Sequence, residues 1–144
     1  AILGSCPDAP PELLVSREAD VYPLRAPEKA DLIDGSIGEA SMFEEEFGYY
    51  AHGVGPETAI LPPEWQNRLV RICNKNTRGV TGWCLSPVDI AASKLAAGRD
   101  RDLVFVQGLI RHGIVSFNEV ESALKELPEA HRTAAVKRLK RIAG

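Results

Sequence analysis

The sequence lacks the features that mark membrane proteins, secreted proteins and disulfide-linked scaffolds. No apolar run approaches the roughly 20 residues that a membrane helix needs. No basic start is followed by the apolar segment of a signal peptide. The three cysteines, Cys6, Cys73 and Cys84, are far apart and odd in number, with neither zinc spacing nor a disulfide framework. These absences predict a cytoplasmic protein that makes no membrane contact.

Repeats, low-complexity segments and the Ser–His–acid pattern of hydrolases are also missing from the sequence. What is present, 144 residues with 44% hydrophobic and 26% charged side chains, is typical of a soluble globular protein with a real core. The chain begins at Ala1 rather than at methionine. We therefore expect a processed or trimmed N-terminus with further sequence upstream.

Charge is unevenly distributed along the chain, although its net value is only −3. Residues 1–64 hold 13 acidic and 3 basic side chains, whereas residues 65–144 hold 7 acidic and 14 basic ones. This asymmetry favours an acidic, metal-binding end and a basic, phosphate-facing end. Ordinary charging of helix surfaces is the alternative explanation.

The pattern of apolar residues changes character at residue 86. Before it, short segments bounded by proline and glycine predict strands at 18–22, 49–54, 58–61, 68–72 and 80–85. They also predict a helix from Pro27 that is broken at Gly35 and Gly38, and another at Met42–Phe47. After it, Ser86 and Pro87 predict a helix start, and four helices follow. The predicted fold class is α+β, a small mixed or antiparallel sheet followed by a helical region. The predicted domains are residues 1–85 and 86–144.

Glu18 and Asp20 flank Ala19 in an apolar, extended setting. Because side chains alternate along a strand, the two carboxylates point to the same face. Like charges held that close repel unless a cation or a proton lies between them. Such a pair suits Mg²⁺, which binds one or two carboxylates together with substrate phosphates. The alternative is a strand end whose acidic side chains face water.

A second group of charged residues lies in the segment 86–102. Lys94 stands among apolar residues, and Arg99 and Arg101 follow Gly98. These cations would form a phosphate-facing patch in which Asp102 orients one of them. In the structural alternative, Lys94 extends its stem along an apolar surface, and Asp102 begins a helix as an acid that matches the dipole.

The motif Glu18-Ala19-Asp20, together with S-P-x-D-I-A-x-S-K-L-x-A-G-R-x-R-D at 86–102, resembles the nucleotidyltransferase-like superfamily. The resemblance is strongest to a bacterial group of small, functionally uncharacterised nucleotidyltransferase proteins, and more distant to the toxin nucleotidyltransferases of abortive-infection systems. It covers most of residues 1–115 and extends to the segments 30–35, 37–39, 47–50 and 76–79.

The resemblance implies an Mg²⁺-dependent enzyme that uses a nucleoside triphosphate. Glu18 and Asp20 would bind the metal, Lys94 and Arg99 would contact phosphates, and Asp102 would be their catalytic partner. Gly4-Ser5 matches the Gly-Ser turn that cradles phosphates in the superfamily, although we expect the true turn upstream of Ala1. A third carboxylate is not assigned, and Glu39 and Glu57 are the nearest candidates.

The resemblance leaves the biochemical role open between two classes. The first is transfer of a nucleotidyl group to an RNA, protein or small-molecule acceptor. The second is an inactive binding or regulatory module of a toxin–antitoxin or phage-defence system, acting as a homodimer or with a partner protein. RNA binding through the basic last helix is a third idea, and a solvated helix face is its alternative.

Overall fold

The computed structural model describes residues 2–144, and side chains from Gly4 onward. Within these residues the helices and strands confirm the predicted α+β class with a C-terminal helical region. The α-helices are α1 (Ile2–Ser5), α2 (Ala30–Ile37), α3 (Met42–Phe47), α4 (Pro87–Ala97), α5 (Asp100–Arg111), α6 (Phe117–Lys125) and α7 (Glu129–Ala143). The strands are β1 (Glu18–Val21), β2 (Tyr50–Gly53), β3 (Val70–Ile72) and β4 (Gly82–Cys84).

The four strands form two separate pairs. β1 and β2 are parallel, and the long connection between them contains α2 and α3. β3 and β4 are antiparallel neighbours along the chain. The strand predicted at residues 58–61 was wrong, because a 3₁₀ turn at Pro56–Thr58 comes first and irregular chain follows. Prolines at positions 56, 62 and 63 explain this, since they fix φ and cannot donate to a strand ladder.

Contacts divide the chain into two units. The acidic unit, residues 15–59, contains β1, α2, α3 and β2 and carries ten acidic against three basic side chains, a net charge of −7. The helical unit, residues 2–14 and 60–144, contains α1, β3, β4 and the last four helices, with a net charge of +4. These contacts group β3 and β4 with the helices, whereas we predicted a domain boundary after residue 85. That boundary stays a prediction.

The helix ends follow from local chemistry. Ser86 accepts a hydrogen bond from the Asp89 backbone N–H, so α4 begins where the sequence predicts. Ser116 forms a reciprocal capping box with Glu119 at the start of α6. α2, however, continues through Gly35 to Ile37 and ends at Gly38. The break predicted at Gly35 was wrong, because a single helical glycine costs only about 1 kcal/mol relative to alanine. The break predicted at Gly38 was confirmed. None of the described helices is long and apolar enough to cross a membrane.

The core of the helical unit is built from the apolar stripes of the last four helices. Its largest fully buried apolar side chains are those of Leu95, Leu109, Leu124, Leu127, Leu139, Val106, Val115 and Val120. Such close packing holds the helix termini in fixed positions. Charged side chains placed at those termini therefore have defined partners.

One such partner is Arg138 of α7, which caps the C-terminus of α4. Its Nη1 donates to the carbonyl oxygens of Leu95 (2.7 Å) and Ala96 (2.9 Å), groups that lack partners within their own helix. Gly98 ends α4 at φ +72°, and a Cβ there would lie 2.2 Å from Cζ of Arg138. Gly98 thus permits the left-handed backbone conformation and also leaves space for the guanidinium of Arg138.

Replacing Gly98 with alanine should cost more stability than the same change at Gly113. Both residues have positive φ (+72° and +67°), so both variants acquire a strained backbone worth about 1 kcal/mol. Only Gly98→Ala also displaces Arg138 from two carbonyls, because the space beside Gly113 is open. We expect an extra loss of about 1 kcal/mol in the free energy of unfolding, measured by urea denaturation. Equal losses would contradict the capping role.

Candidate functional site

The parallel pairing of β1 and β2 gathers polar side chains on one face of the acidic unit. Glu18 pairs with Tyr50 and Asp20 pairs with His52, so all four side chains share a face. The intervening pair, Ala19 and Ala51, points the other way, and Ala51 is buried. Since α2 packs against β2, the apolar face is covered and the polar face is left exposed.

Glu18, Asp20 and His52 form what we name the acid–histidine cluster. One potential ligand atom of each residue lies within 4.8 Å of the other two. Nδ1 of His52 is 3.6 Å from Oε1 of Glu18 and 3.8 Å from Oδ1 of Asp20. All three side chains remain solvent-accessible, from 39% for Glu18 to 57% for Asp20. A ligand from solution can therefore reach the cluster.

A surface cavity of about 470 Å³ adjoins the cluster and is lined by Glu18, Asp34, Glu39, Tyr50 and His52. Burial raises the pKa of Tyr50, and the negative charges of Glu18, Glu39 and Glu44 raise it further. The phenol therefore stays protonated and can act as a donor. Glu39, one of the two candidates for a third carboxylate, lines this cavity.

The donor set of the cluster fits a divalent cation. Carboxylate oxygens and imidazole nitrogen are both common ligands of such ions. Two ligands at about 2.1 Å from one ion lie about 3 to 4 Å apart, which is close to the distances between the imidazole and each carboxylate. Glu18 and Asp20 are thus brought together as predicted, whereas their binding of a metal stays a prediction.

The arginine that precedes Glu18 in the chain does not neutralise this pair of carboxylates. Arg17 precedes Glu18, but its Nη2 lies 2.8 Å from Oε1 of Glu44 and its Nε donates to the carbonyl of Gly48. Among the described residues, His52 is the basic side chain found within 4 Å of Glu18 and Asp20. The cluster therefore keeps excess negative charge, which a cation would offset.

Lys94, Arg99 and Asp102 meet in the helical unit, where they form what we name the Asp102 triad. Asp102 is 1% exposed, and its two oxygens accept from Nζ of Lys94 (2.9 Å) and Nε of Arg99 (2.6 Å). Nζ of Lys94 also lies 4.9 Å from the ring centroid of Phe105, within cation–π range. The triad joins α4 to the start of α5.

Two opposing effects act on the Asp102 carboxyl group. Burial alone would raise its pKa, since a charged group is poorly solvated there. The hydrogen bonds and positive charges of Arg99 and Lys94 outweigh burial, and the pKa is lowered from its ordinary value. Asp102 is therefore ionised at neutral pH and orients both cations, as the sequence predicted for at least one of them.

The predicted phosphate contacts of Lys94 and Arg99 stay predictions. Both residues belong to the helical unit, whereas Glu18 and Asp20 belong to the acidic unit. Their hydrogen bonds to Asp102 give each cation a structural role. Their side chains are 32% and 59% exposed, so solvent reaches both cations.

Gly4 and Ser5 do not adopt the arrangement expected of a phosphate-binding turn. They are the last residues of α1, whereas such a turn precedes a helix. A Cβ at Gly4 would lie 2.4 Å from Sγ of Cys84, so this glycine permits close packing. Their nucleotide-binding role stays a prediction. Burial raises the pKa of the Cys84 thiol, which disfavours a nucleophile there.

The sequence reasoning gave no role in the cluster to His52 and missed the partner of Asp89. Arg68 binds the fully buried Asp89 through two nitrogens, with Nη2 2.7 Å from Oδ1 and Nε 3.0 Å from Oδ2. Ser86 adds a third bond to the same carboxylate, at 2.6 Å. The sequence did place His52 on a predicted strand. Residue spacing, however, could not show that this strand pairs with the strand that carries Glu18 and Asp20.

Comparison with known families finds one match. The model of a family described as "Nucleotidyltransferase of unknown function (DUF6036)" matches residues 40–141, more than half of the chain, and the chain therefore belongs to that family. His52 and the Asp102 triad lie within the matched residues, whereas Glu18 and Asp20 precede them. Neither the curated proteins nor the solved structures gave a significant match.

Asp102→Asn should destabilise the helical unit by about 2 kcal/mol at neutral pH. The change removes a buried charge that holds two cations, and breaking a buried pair is costly even though the cations can regain water here. Asp100→Asn is the matched control, because Asp100 is an exposed acid at the start of the same helix. Urea denaturation measures both changes. Similar losses in the free energy of unfolding for the two variants would rule out a stabilising role for the Asp102 triad.

The stabilising effect of Asp102 should decline in acid. Since folding lowers its pKa, the contribution is complete above the unfolded value of about 3.9 and is lost as pH falls through the lower folded value. The stability difference between the wild type and Asp102→Asn should therefore narrow below about pH 4. Unfolding free energies measured at pH 7, 5 and 3 test this. A difference that stays constant with pH would contradict the proposed ionisation.

Proposed function

We propose that this member of the nucleotidyltransferase family is a divalent-cation-dependent enzyme that uses a nucleoside triphosphate. It transfers a nucleotidyl group to a hydroxyl group of an RNA, a protein or a small molecule. The observation that supports the proposal is the acid–histidine cluster, a set of exposed metal-ligand groups on one strand face. Family membership supplies the reaction class, and the cluster supplies the chemistry that this class needs.

In this proposal Glu18 and Asp20 hold the cation on the solvent side of β1. A cation bound there lowers the cost of bringing phosphate charge close and polarises the acceptor oxygen. The reaction forms a bond between the acceptor oxygen and the α-phosphorus atom and releases pyrophosphate. The exposure of both carboxylates leaves room for phosphate oxygens beside them.

Tyr50 is placed to hold Glu18 in position. It pairs with Glu18 across the strands, and the raised pKa of the phenol keeps its proton available for a hydrogen bond to that carboxylate. A carboxylate that accepts such a bond adopts fewer orientations, so it is better positioned to bind a metal ion. Tyr50 is thus a positioning residue in the proposed site.

Asp20→Asn should abolish cation-dependent nucleotide binding and transfer without unfolding the protein. The side chain is 57% exposed, so the amide fits the same space, while the charge that attracts the cation is lost. Calorimetry with each nucleoside triphosphate plus Mg²⁺ or Mn²⁺ measures binding, and release of pyrophosphate measures turnover. Glu46→Gln, which changes an exposed acid of the same unit that has no proposed role in the site, is the control. Nucleotide binding that survives in Asp20→Asn would refute the assignment.

A second candidate function is an inactive binding or regulatory module, as in toxin–antitoxin or phage-defence systems. The specific observation in its favour is that Lys94 and Arg99, the predicted phosphate-binding cations, both hydrogen bond to Asp102. Calorimetry on the full natural protein separates the candidates. Heat with a nucleoside triphosphate and a divalent cation favours the enzyme, and its absence with all four nucleotides favours the module.

A further inference from the structure

We infer that His52 is a direct metal ligand through Nδ1, and that it makes the acid–histidine cluster selective for a first-row transition-metal ion over Mg²⁺. The inference rests on the proposed function, because it names the class of cation that the same site takes. It concerns a residue for which the sequence gave no ligand role.

The first support is geometric. Nδ1 of His52 lies 3.6 Å from a Glu18 oxygen and 3.8 Å from an Asp20 oxygen. Both distances exceed the 2.7–3.2 Å or so of an N–H···O hydrogen bond. The imidazole is therefore almost equidistant from two carboxylates without being bonded to either. The spacing leaves room for one ion bound by all three groups.

The second support is the register of the strands. His52 is directly opposite Asp20, and Glu18 is two residues before Asp20 on the same face. Backbone pairing thus fixes the origins of all three side chains before any ion binds. A site with preset ligand positions loses little conformational entropy on binding, which favours affinity.

The third support is ligand chemistry. Mg²⁺ prefers oxygen ligands in a near-ideal octahedron, and imidazole suits later first-row ions such as Zn²⁺. At sites with nitrogen and oxygen donors the affinity rises from Mn²⁺ toward Cu²⁺. Replacing a third carboxylate with an imidazole therefore shifts preference away from Mg²⁺. Glu39 and Glu57, the acids considered for that third position, are not members of the cluster.

The rival explanation treats His52 as a protonated partner of the two acids. An imidazolium would then occupy the place of the cation, and removing it would leave metal binding unchanged or stronger. The two explanations differ in one measurable property, the presence of a nitrogen atom in the coordination shell of the bound ion.

Pulsed electron paramagnetic resonance of bound Mn²⁺ measures that property directly, with no nucleotide present. Mn²⁺ is a suitable probe because thiolates such as those of the free cysteines are soft ligands that it binds poorly. We expect a ¹⁴N coupling in the wild-type protein and none in His52→Gln. His131→Gln, which removes another imidazole from α7, should keep the coupling. His52→Asp should bind Mn²⁺ without the coupling and gain affinity for Mg²⁺.

Affinities provide the second readout. Wild type should bind Mn²⁺ at least about tenfold more tightly than Mg²⁺, and His52→Gln should lower Mn²⁺ affinity by about tenfold or more. Mn²⁺ that binds without ¹⁴N coupling would overturn the inference and leave the proposed function standing with an oxygen-ligand site. Absence of Mn²⁺ binding would overturn both. Coupling without nucleotide turnover would support His52 as a ligand while refuting the enzyme.

Discussion

Parallel pairing of β1 with β2 is the constraint on which the candidate site depends. A slip of one residue would replace the Glu18 and Asp20 side chains on the polar face with those of Ala19 and Val21. The buried Ala51 and the packing of α2 on β2 oppose such a slip, because they specify which face is covered. Asp34 adds to this by accepting a hydrogen bond from the Gly53 backbone N–H at 3.0 Å. Packing on the apolar face of the β1–β2 pair thus determines which side chains lie on its polar face.

The acidic side chains of this chain are neutralised in two different ways. Asp89 and Asp102 are buried, and each has arginine or lysine partners within 3 Å. Burial without such partners would be prohibitive, so these cations serve the fold. Glu18 and Asp20 are exposed, and the basic group beside both is an imidazole 3.6 to 3.8 Å away. Among the described residues, arginine and lysine side chains neutralise the buried carboxylates, whereas the basic group found within 4 Å of the exposed pair is the imidazole of His52.

The sequence predicted those features that depend on residues close together in the chain. The two-residue period placed Glu18 and Asp20 on one face, and the Ser86 cap placed the start of α4. Long-range partners were not accessible in this way. His52 is 32 positions from Asp20, and Arg68 is 21 positions from Asp89, so only tertiary structure brings them together. The strand predicted at 58–61 failed because the flanking prolines determine the backbone there.

Charge links the cluster to the reaction class of the family. The acidic unit carries a net charge of −7, and two of its carboxylates, those of Glu18 and Asp20, lie on the exposed face of β1 and β2 where a nucleotide would bind. Polyphosphate that approaches such a face is repelled, and repulsion between exposed charges extends over about 10 Å at moderate salt. Association becomes favourable only when a cation lies between the carboxylates and the phosphates. If a nucleotide binds at this acidic face, as we propose, the requirement for a divalent ion follows from the same electrostatics, and the side chains that would hold the ion would also control access of the nucleotide.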